Sequence, residues 1–187
     1  MIQLYDFGID VQTYANRGKQ NAFPFIHRCP HCQAKRNLYR HGYYERNALV
    51  GQDAYRIWVA RYRCAICKKT VSVLPTFLLP YFQYTIWTII HWLKERLSSL
   101  LGKGKGSSKF FPLRQGVDVY MHRFLAHLPW LRWFFQTKGK QIPRLSDEPL
   151  VQAQEWIQHL EGDGLEKLIE AMWKEQSTHF LANRFGA

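Results

Sequence analysis

Four cysteines, arranged as Cys-x2-Cys-x31-Cys-x2-Cys, constrain this chain more than any other feature. Cys29 and Cys32 lie in "HRCPHCQAK", and Cys64 and Cys67 lie in "YRCAICKKT". Each pair follows an arginine (Arg28, Arg63) and precedes a lysine (Lys35, Lys68), so one short knuckle is in effect written twice. A two-residue gap lets both sulfurs of a pair reach one ion, and two pairs supply the four thiolates of a tetrahedral Zn2+ site. Two other readings fit less well. A redox dithiol normally presents a single pair at a helix N-terminus in a βαβ setting, and no such unit is visible. Structural disulfides belong to oxidising compartments. The opening "MIQLYDFGIDVQTYANRGKQ" lacks the charged segment, apolar segment and cleavage site of a secretory signal, so a cytoplasmic location is expected. His27, His31 and His41 could also coordinate a metal, but beside four cysteines they are expected to be bystanders.

The residues between and after the knuckles read as strands. "RNLYRHGYYERN" and "AYRIWVARYRC" are rich in Tyr, Ile, Val and Trp, and "ALVGQD" between them carries Gly51 and Asp53 as turn residues. "KTVSVLP" can add a third strand that Pro75 stops. Knuckle, hairpin, knuckle, strand is the layout of a small antiparallel zinc ribbon. A unit of that size buries too little apolar surface to be stable alone, so the metal is expected to supply much of its folding free energy.

The charge is lopsided, with 26 Lys and Arg against 14 Asp and Glu, a formal net of +12. Residues 147–187 hold only 3 of those bases and 8 of the acids, so the positive charge belongs to the first three quarters of the chain. A basic surface of this kind points to a polyanionic partner, DNA or, alternatively, RNA. A four-thiolate zinc centre carries a formal charge of about −2, so Arg28, Arg63, Lys68 and Lys69 serve either to balance it or to touch nucleic acid. The uncharged stretch from Thr70 to Leu93 has the length of a membrane span. Pro75 and Pro80 cut it into a strand-like and a helix-like piece, so no membrane partner is expected.

After Pro80 the apolar period changes. Ile86, Ile89, Ile90, Leu93, Leu97, Leu100 and Leu101 mark one face of a helix over about 82–101. "GKGKGSSKFFPLRQG" then interrupts as a basic, glycine-rich loop without the phosphate-binding pattern G-x-x-x-x-G-K-[ST]. Val117, Tyr120, Met121, Phe124 and Leu128 form a second stripe, and Pro129 suits the first turn of a further helix. The Arg123 helix reads either as a recognition helix in a helix-turn-helix-like region or as a packing helix. Trp130, Trp133, Phe134 and Phe135 are either core or a docking face for another copy or another protein. Ser146 or Asp147 can cap a helix that has Pro149 near its start, and "EGDG" leads into a last helix, forming an acidic hairpin.

Within this pattern "CPHC", "HGYYERN" (His41, Gly42, Tyr44, Arg46) and "RYRCAICKKTVSVLPTFLLPY" resemble the zinc-ribbon N-terminal module of proteins from bacterial insertion sequences and other mobile elements, over about residues 25–95. The resemblance implies a ribbon followed by a helix-turn-helix-like segment, and DNA binding connected with transposition, in a transposase or its companion. Strand-transfer chemistry in such proteins resides in a separate domain, for which this chain has no room. Only Asp6, Asp10, Glu45, Asp53, Glu95 and Asp118 precede the acidic tail, and no carboxylate set for two-metal catalysis is apparent.

The expectation is therefore an α+β chain in three parts: ribbon with N-terminal extension (1–80), basic helical region (81–144) and acidic helical tail (145–187). It is read as a non-enzymatic, zinc-dependent, nucleoid-associated DNA binder. Cys29, Cys32, Cys64 and Cys67 are the metal ligands. Arg40, Tyr44, Arg46, Arg61, Lys68, Lys69, Lys103, Lys105, Arg114 and Arg123 are the candidate nucleic-acid contacts. The alternative is an adaptor that docks on a transposase or polymerase through the ribbon and the aromatic cluster.

Overall fold

The computed structural model describes residues 1–102, 114–143, 146–162 and 164–182. The chain is mixed α+β, with one four-stranded sheet and five α-helices among these residues. It divides into two compact units that are not consecutive stretches: Met1–Ile86 with Glu166–Ser177, and Trp87–Leu165 with Thr178–Ala187.

The first unit is built on a long hairpin, β2 (Leu38–Val50) and β3 (Asp53–Cys64). Its pairing runs from Leu38↔Cys64 to Val50↔Asp53. The turn is thus only Gly51 and Gln52, shorter than the expected "ALVGQD". Gly51 takes φ 60°, which suits a tight hairpin turn. Strand β4 (Thr70–Pro75) pairs antiparallel with β3, as the valines and Pro75 suggest. The sheet is not purely antiparallel, however. β1 (Ile2–Tyr5) adds to the far side of β4 in parallel, giving the order β1-β4-β3-β2. The N-terminal amine donates to the Thr70 carbonyl at 3.1 Å. Nothing in four residues of local pattern announces that pairing.

Directly opposed residues of neighbouring strands share a face. On one face Leu38 and Cys64, Tyr62 and Val71, and Ala60 and Val73 join Ile26 and Cys29 in a buried cluster. Burying an aliphatic side chain of this size stabilises by about 1.5–3 kcal/mol, and two of the four cysteines are part of that core. Farther along the sheet sits α1 (Val11–Arg17), which Asp10 caps through Thr13 N (2.9 Å) and Thr13 Oγ1 (2.7 Å). Its Tyr14 is fully buried and donates to the Trp58 carbonyl at 2.9 Å. Thr76 to Pro80 is buried throughout. The chain then returns along β2 through a Leu49–Tyr84 bridge, and Leu78 bridges to Thr85. This loop delays the next helix, α2 (Ile86–Leu100), past the expected start near residue 82.

The second unit contains the rest of α2, then α3 (Arg114–Thr137) and α4 (Pro149–Leu160). Instead of starting a new helix, Pro129 lies inside α3 on its exposed side. Proline lacks an N–H and so removes one helical hydrogen bond, a loss that water can make good at an exposed position. Arg96 and Asp118 pair at 2.8 Å, as do Lys94 and Glu161. Phe135 packs edge-on against Trp156 at 5.1 Å, and Phe124 against Phe180 at 5.9 Å. The N-cap of α4 is Glu148 rather than Ser146 or Asp147. Ser146 Oγ instead accepts from the Glu148 N–H at 3.3 Å.

The acidic hairpin is divided between the units. α4 stays with α3, whereas most of α5 (Leu165–Gln176) belongs with the sheet. There Trp173 Nε1 donates to the Ile2 carbonyl at 2.8 Å, and Thr76 Oγ1 to Glu166 at 2.7 Å. Among the described residues, no helix is long and apolar enough to cross a membrane.

Candidate metal centre

The two knuckles are the same backbone turn made twice. In the first, Gln33 N donates to Cys29 O and Cys29 N to Ala34 O, both at 2.9 Å. In the second, Lys68 N donates to Cys64 O and Cys64 N to Lys69 O, both at 3.0 Å. Gln33 and Lys68, the residues that follow each pair, both take φ 62°. The turn points both sulfurs of a pair to one side. The two turns are tied to each other by Ala65 N donating to Asn37 O at 2.8 Å.

The four sulfurs converge. All lie within 4.8 Å of one another, with Cys29–Cys67 at 3.8 Å and Cys32–Cys64 at 3.7 Å. These separations are too long for a disulfide, whose bond is about 2.05 Å, and all four cysteines are free. They suit a metal instead: a tetrahedron with metal–sulfur distances of about 2.3 Å has edges of about 3.8 Å. Cys29 and Cys64 are buried, Cys67 is half-buried and Cys32 is exposed. The donor set thus fits one metal ion held partly in the core and partly at the surface. His27, His31 and His41 are not part of the group.

The thiols are electrostatically unequal. The Cys67 N–H, followed by that of Ile66 and the neighbouring Cys32 thiol, favours the Cys64 thiolate and brings its pKa down to about 7. At Cys67 the Lys69 N–H works in the same direction, but burial and the three other thiols carry it up to about 11. Lys69 Nζ meets His31 Nε2, so a cation from the second knuckle reaches the ring of the first. Arg63 Nε donates to the Lys68 carbonyl at 3.3 Å.

The candidate contact residues fall into distinct environments. Lys68 and Lys69 are exposed on the second knuckle, and Arg61 is exposed on β3, on the face away from Cys64. Tyr44 is half-buried, with the Arg61 guanidinium 6.0 Å from its ring centre. Arg40 is held by its own sheet, donating to Tyr43 Oη at 2.6 Å and Tyr62 Oη at 3.0 Å. It also lies over the rings of Phe23, Tyr43 and Tyr62 at 5.3–5.6 Å. Tyr62 Oη in turn donates to the Pro24 carbonyl at 2.8 Å, so Arg40 clasps the segment leading to the first knuckle. Arg46 donates to the Phe82 carbonyl at 2.6 Å and holds the loop before α2. Arg123 belongs to the second unit and is half-buried on α3. Lys103 and Lys105 lie outside the described residues, as does the side chain of Arg114, the first residue of α3. In the aromatic cluster Phe134 and Phe135 are core, whereas Trp133 is 46% exposed.

One residue not singled out from the sequence, Tyr39, joins the exposed set. Tyr39 stands opposite Arg63, and Gly42 stands opposite Arg61. Strict alternation along β2 would separate Tyr39 from Gly42. A register shift between Arg40 and Gly42 puts them on one face. Only the glycine inside a tyrosine-rich strand pattern hints at such a bulge.

Residues 29–105 match a family model described as a domain of unknown function (DUF6431), a span that begins at Cys29 and takes in all four cysteines. No curated protein and no solved structure matches the chain.

Proposed function

We propose that this chain is a zinc-dependent DNA-binding protein, an accessory component of a mobile element rather than an enzyme. The observation that carries the reading is the convergence of four sulfurs at tetrahedral-edge spacing, with exposed Lys68 and Lys69 on the second knuckle and exposed Arg61 farther along β3. Four thiolates from paired knuckles are the usual donor set of structural zinc, a soft, redox-inactive ion. Cys29, Cys32, Cys64 and Cys67 would hold it, and its contribution would be to fix the two knuckles against each other. The mobile-element part of the proposal rests on the resemblance of residues 25–95.

Metal content and salt dependence test it together. The purified protein should contain one zinc per chain, and its affinity for DNA should fall with added salt, log K against log[salt] having a slope of about −0.9 per duplex phosphate contacted. Absence of zinc from protein never exposed to chelator would remove the basis of the reading, as would affinity indifferent to salt. The exposure of Trp133 supports a second reading, an adaptor. Replacing Arg61, Lys68 and Lys69 by glutamate would leave an adaptor's partner binding intact, whereas the DNA binder would lose its ligand.

A further inference from the structure

We infer that the part of the β2–β3 face around Tyr39, Gly42 and Arg61 binds unpaired DNA, with a base entering over Gly42 between Tyr39 and Tyr44. This rests on the DNA-binding reading above and specifies the form of the DNA. Pairing opposes Tyr39 to Arg63, Gly42 to Arg61 and Tyr44 to Val59, and the next strand sets Thr70 against Arg63 and Ser72 against Arg61. These residues therefore share one side of the sheet, opposite the side filled by Leu38, Ala60, Tyr62, Val71 and Val73; the side they share is exposed at Tyr39 and Arg61 and becomes covered at Val59, beside the half-buried Tyr44. No carboxylate occupies these positions, and two arginines do, so the face is complementary to a phosphodiester backbone.

The shape of this face suits bases. Tyr39 is 48% exposed although it lies on a strand next to the core. Beyond its chain neighbours, Gly42 has no atom within 4 Å of where a Cβ would stand, and it takes φ 148° at the bulge. A glycine inside a strand with open space above it marks a place where a ligand can approach the backbone. Residues on one face of a strand recur about every 6.8 Å, so the gap at Gly42 has tyrosines within a pleat or so on either side. Every base has a π-face that can stack on tyrosine, and arginine beside the ring adds attraction. In a duplex those base faces are already stacked on one another. A sheet presenting Tyr39 and Tyr44 gains the stacking only from unpaired bases.

Fluorescence anisotropy on the full-length, zinc-loaded protein tests this with one mixed-sequence oligonucleotide as single-stranded DNA, as duplex and as RNA. The single strand should bind more tightly than the duplex. Tyr39→Leu should weaken single-strand binding by about tenfold, the order expected for one lost stacking contact, and leave duplex binding unchanged, while Tyr39→Phe should retain the wild-type preference. Tyr39 is half-exposed, so its replacement should not disturb folding, which zinc content and the thermal midpoint would verify. Equal affinity for duplex and single strand, unaltered by Tyr39→Leu, would overturn the inference while leaving DNA binding intact. Tighter binding of the RNA would overturn the assignment to DNA. Failure to bind any of the three would remove the proposed function and this inference with it.

Discussion

Arg40 gives the sharpest test of how this sheet is held. A basic residue on a Tyr-rich strand invites assignment to nucleic-acid contact, yet here it donates to Tyr43 and Tyr62 and lies over three aromatic rings. A hydrogen bond from a charged donor is worth about 1.5–3 kcal/mol. The Arg40 side chain is largely exposed, so screening reduces each to about 0.5–1 kcal/mol. Loss of ring contact at an exposed site adds about 0.5–1 kcal/mol. Tyr62 is only 4% exposed, but it keeps its bond to the Pro24 carbonyl, so no buried hydroxyl is orphaned. Arg40→Ala should therefore destabilise the first unit by about 2 kcal/mol, lowering the midpoint by about 10 °C. Arg40→Lys should cost roughly half as much, because lysine keeps the charge but lacks the planar fork. Differential scanning calorimetry on zinc-loaded protein reads both, and a double-mutant cycle with Tyr62→Phe should give a coupling of about 0.5–1 kcal/mol. An unchanged midpoint in Arg40→Ala, with weakened DNA binding, would refute the clasp and return Arg40 to the contact surface.

Other outcomes follow from the same geometry. Lys68 sits at φ 62°, so Lys68→Gly relieves about 1 kcal/mol of left-handed strain and loses a similar amount to chain entropy. Its midpoint and zinc content should stay the same while the salt slope of duplex binding becomes shallower by about 0.9. Removing the metal, or Cys64→Ser, should lower the midpoint steeply, because a ligand at a thousandfold excess over its Kd contributes about 4 kcal/mol; co-purified metal measured by mass spectrometry checks the loss. At neutral pH zinc must displace a proton from Cys67, whose thiol lies near 11, so affinity should fall as pH falls, as a competition titration with a chromophoric chelator would show. Burial, reinforced by nearby Asp6, holds Glu170 above the ordinary 4.5 despite Lys174. Folding thus favours the protonated form, and that contribution is lost as pH rises through the folded-state value. Glu170→Gln should raise the midpoint at neutral pH and make no difference well below 4.5.

What could be read from the sequence is what short-range chemistry governs. A two-residue gap between cysteines dictates a knuckle, and the repeated Arg before and Lys after each pair foreshadowed two turns with the same hydrogen bonds. Alternating Tyr, Ile and Val marked the hairpin, and three- and four-residue apolar steps marked the helices, because both periods follow from local backbone geometry. The turn length, the start of α2 and the passage of α3 through Pro129 differ from the local pattern, since each depends on what the neighbouring residues pack against.

Only the tertiary structure decided the rest. The parallel β1–β4 pairing joins residues nearly the length of a domain apart, and no local period encodes it. The fates of Arg40 and Arg46 depend on a tyrosine across the hairpin and a carbonyl on a distant loop, so these two cations fasten the sheet, whereas Arg61 lies with its guanidinium 6.0 Å from the Tyr44 ring. A one-residue shift at His41 put Tyr39, Gly42 and Tyr44 on one face, because side chains alternate and a single extra residue exchanges the two sides of a strand. The cysteine spacing determined that a metal site could form, and long-range pairing determined which surface surrounds it.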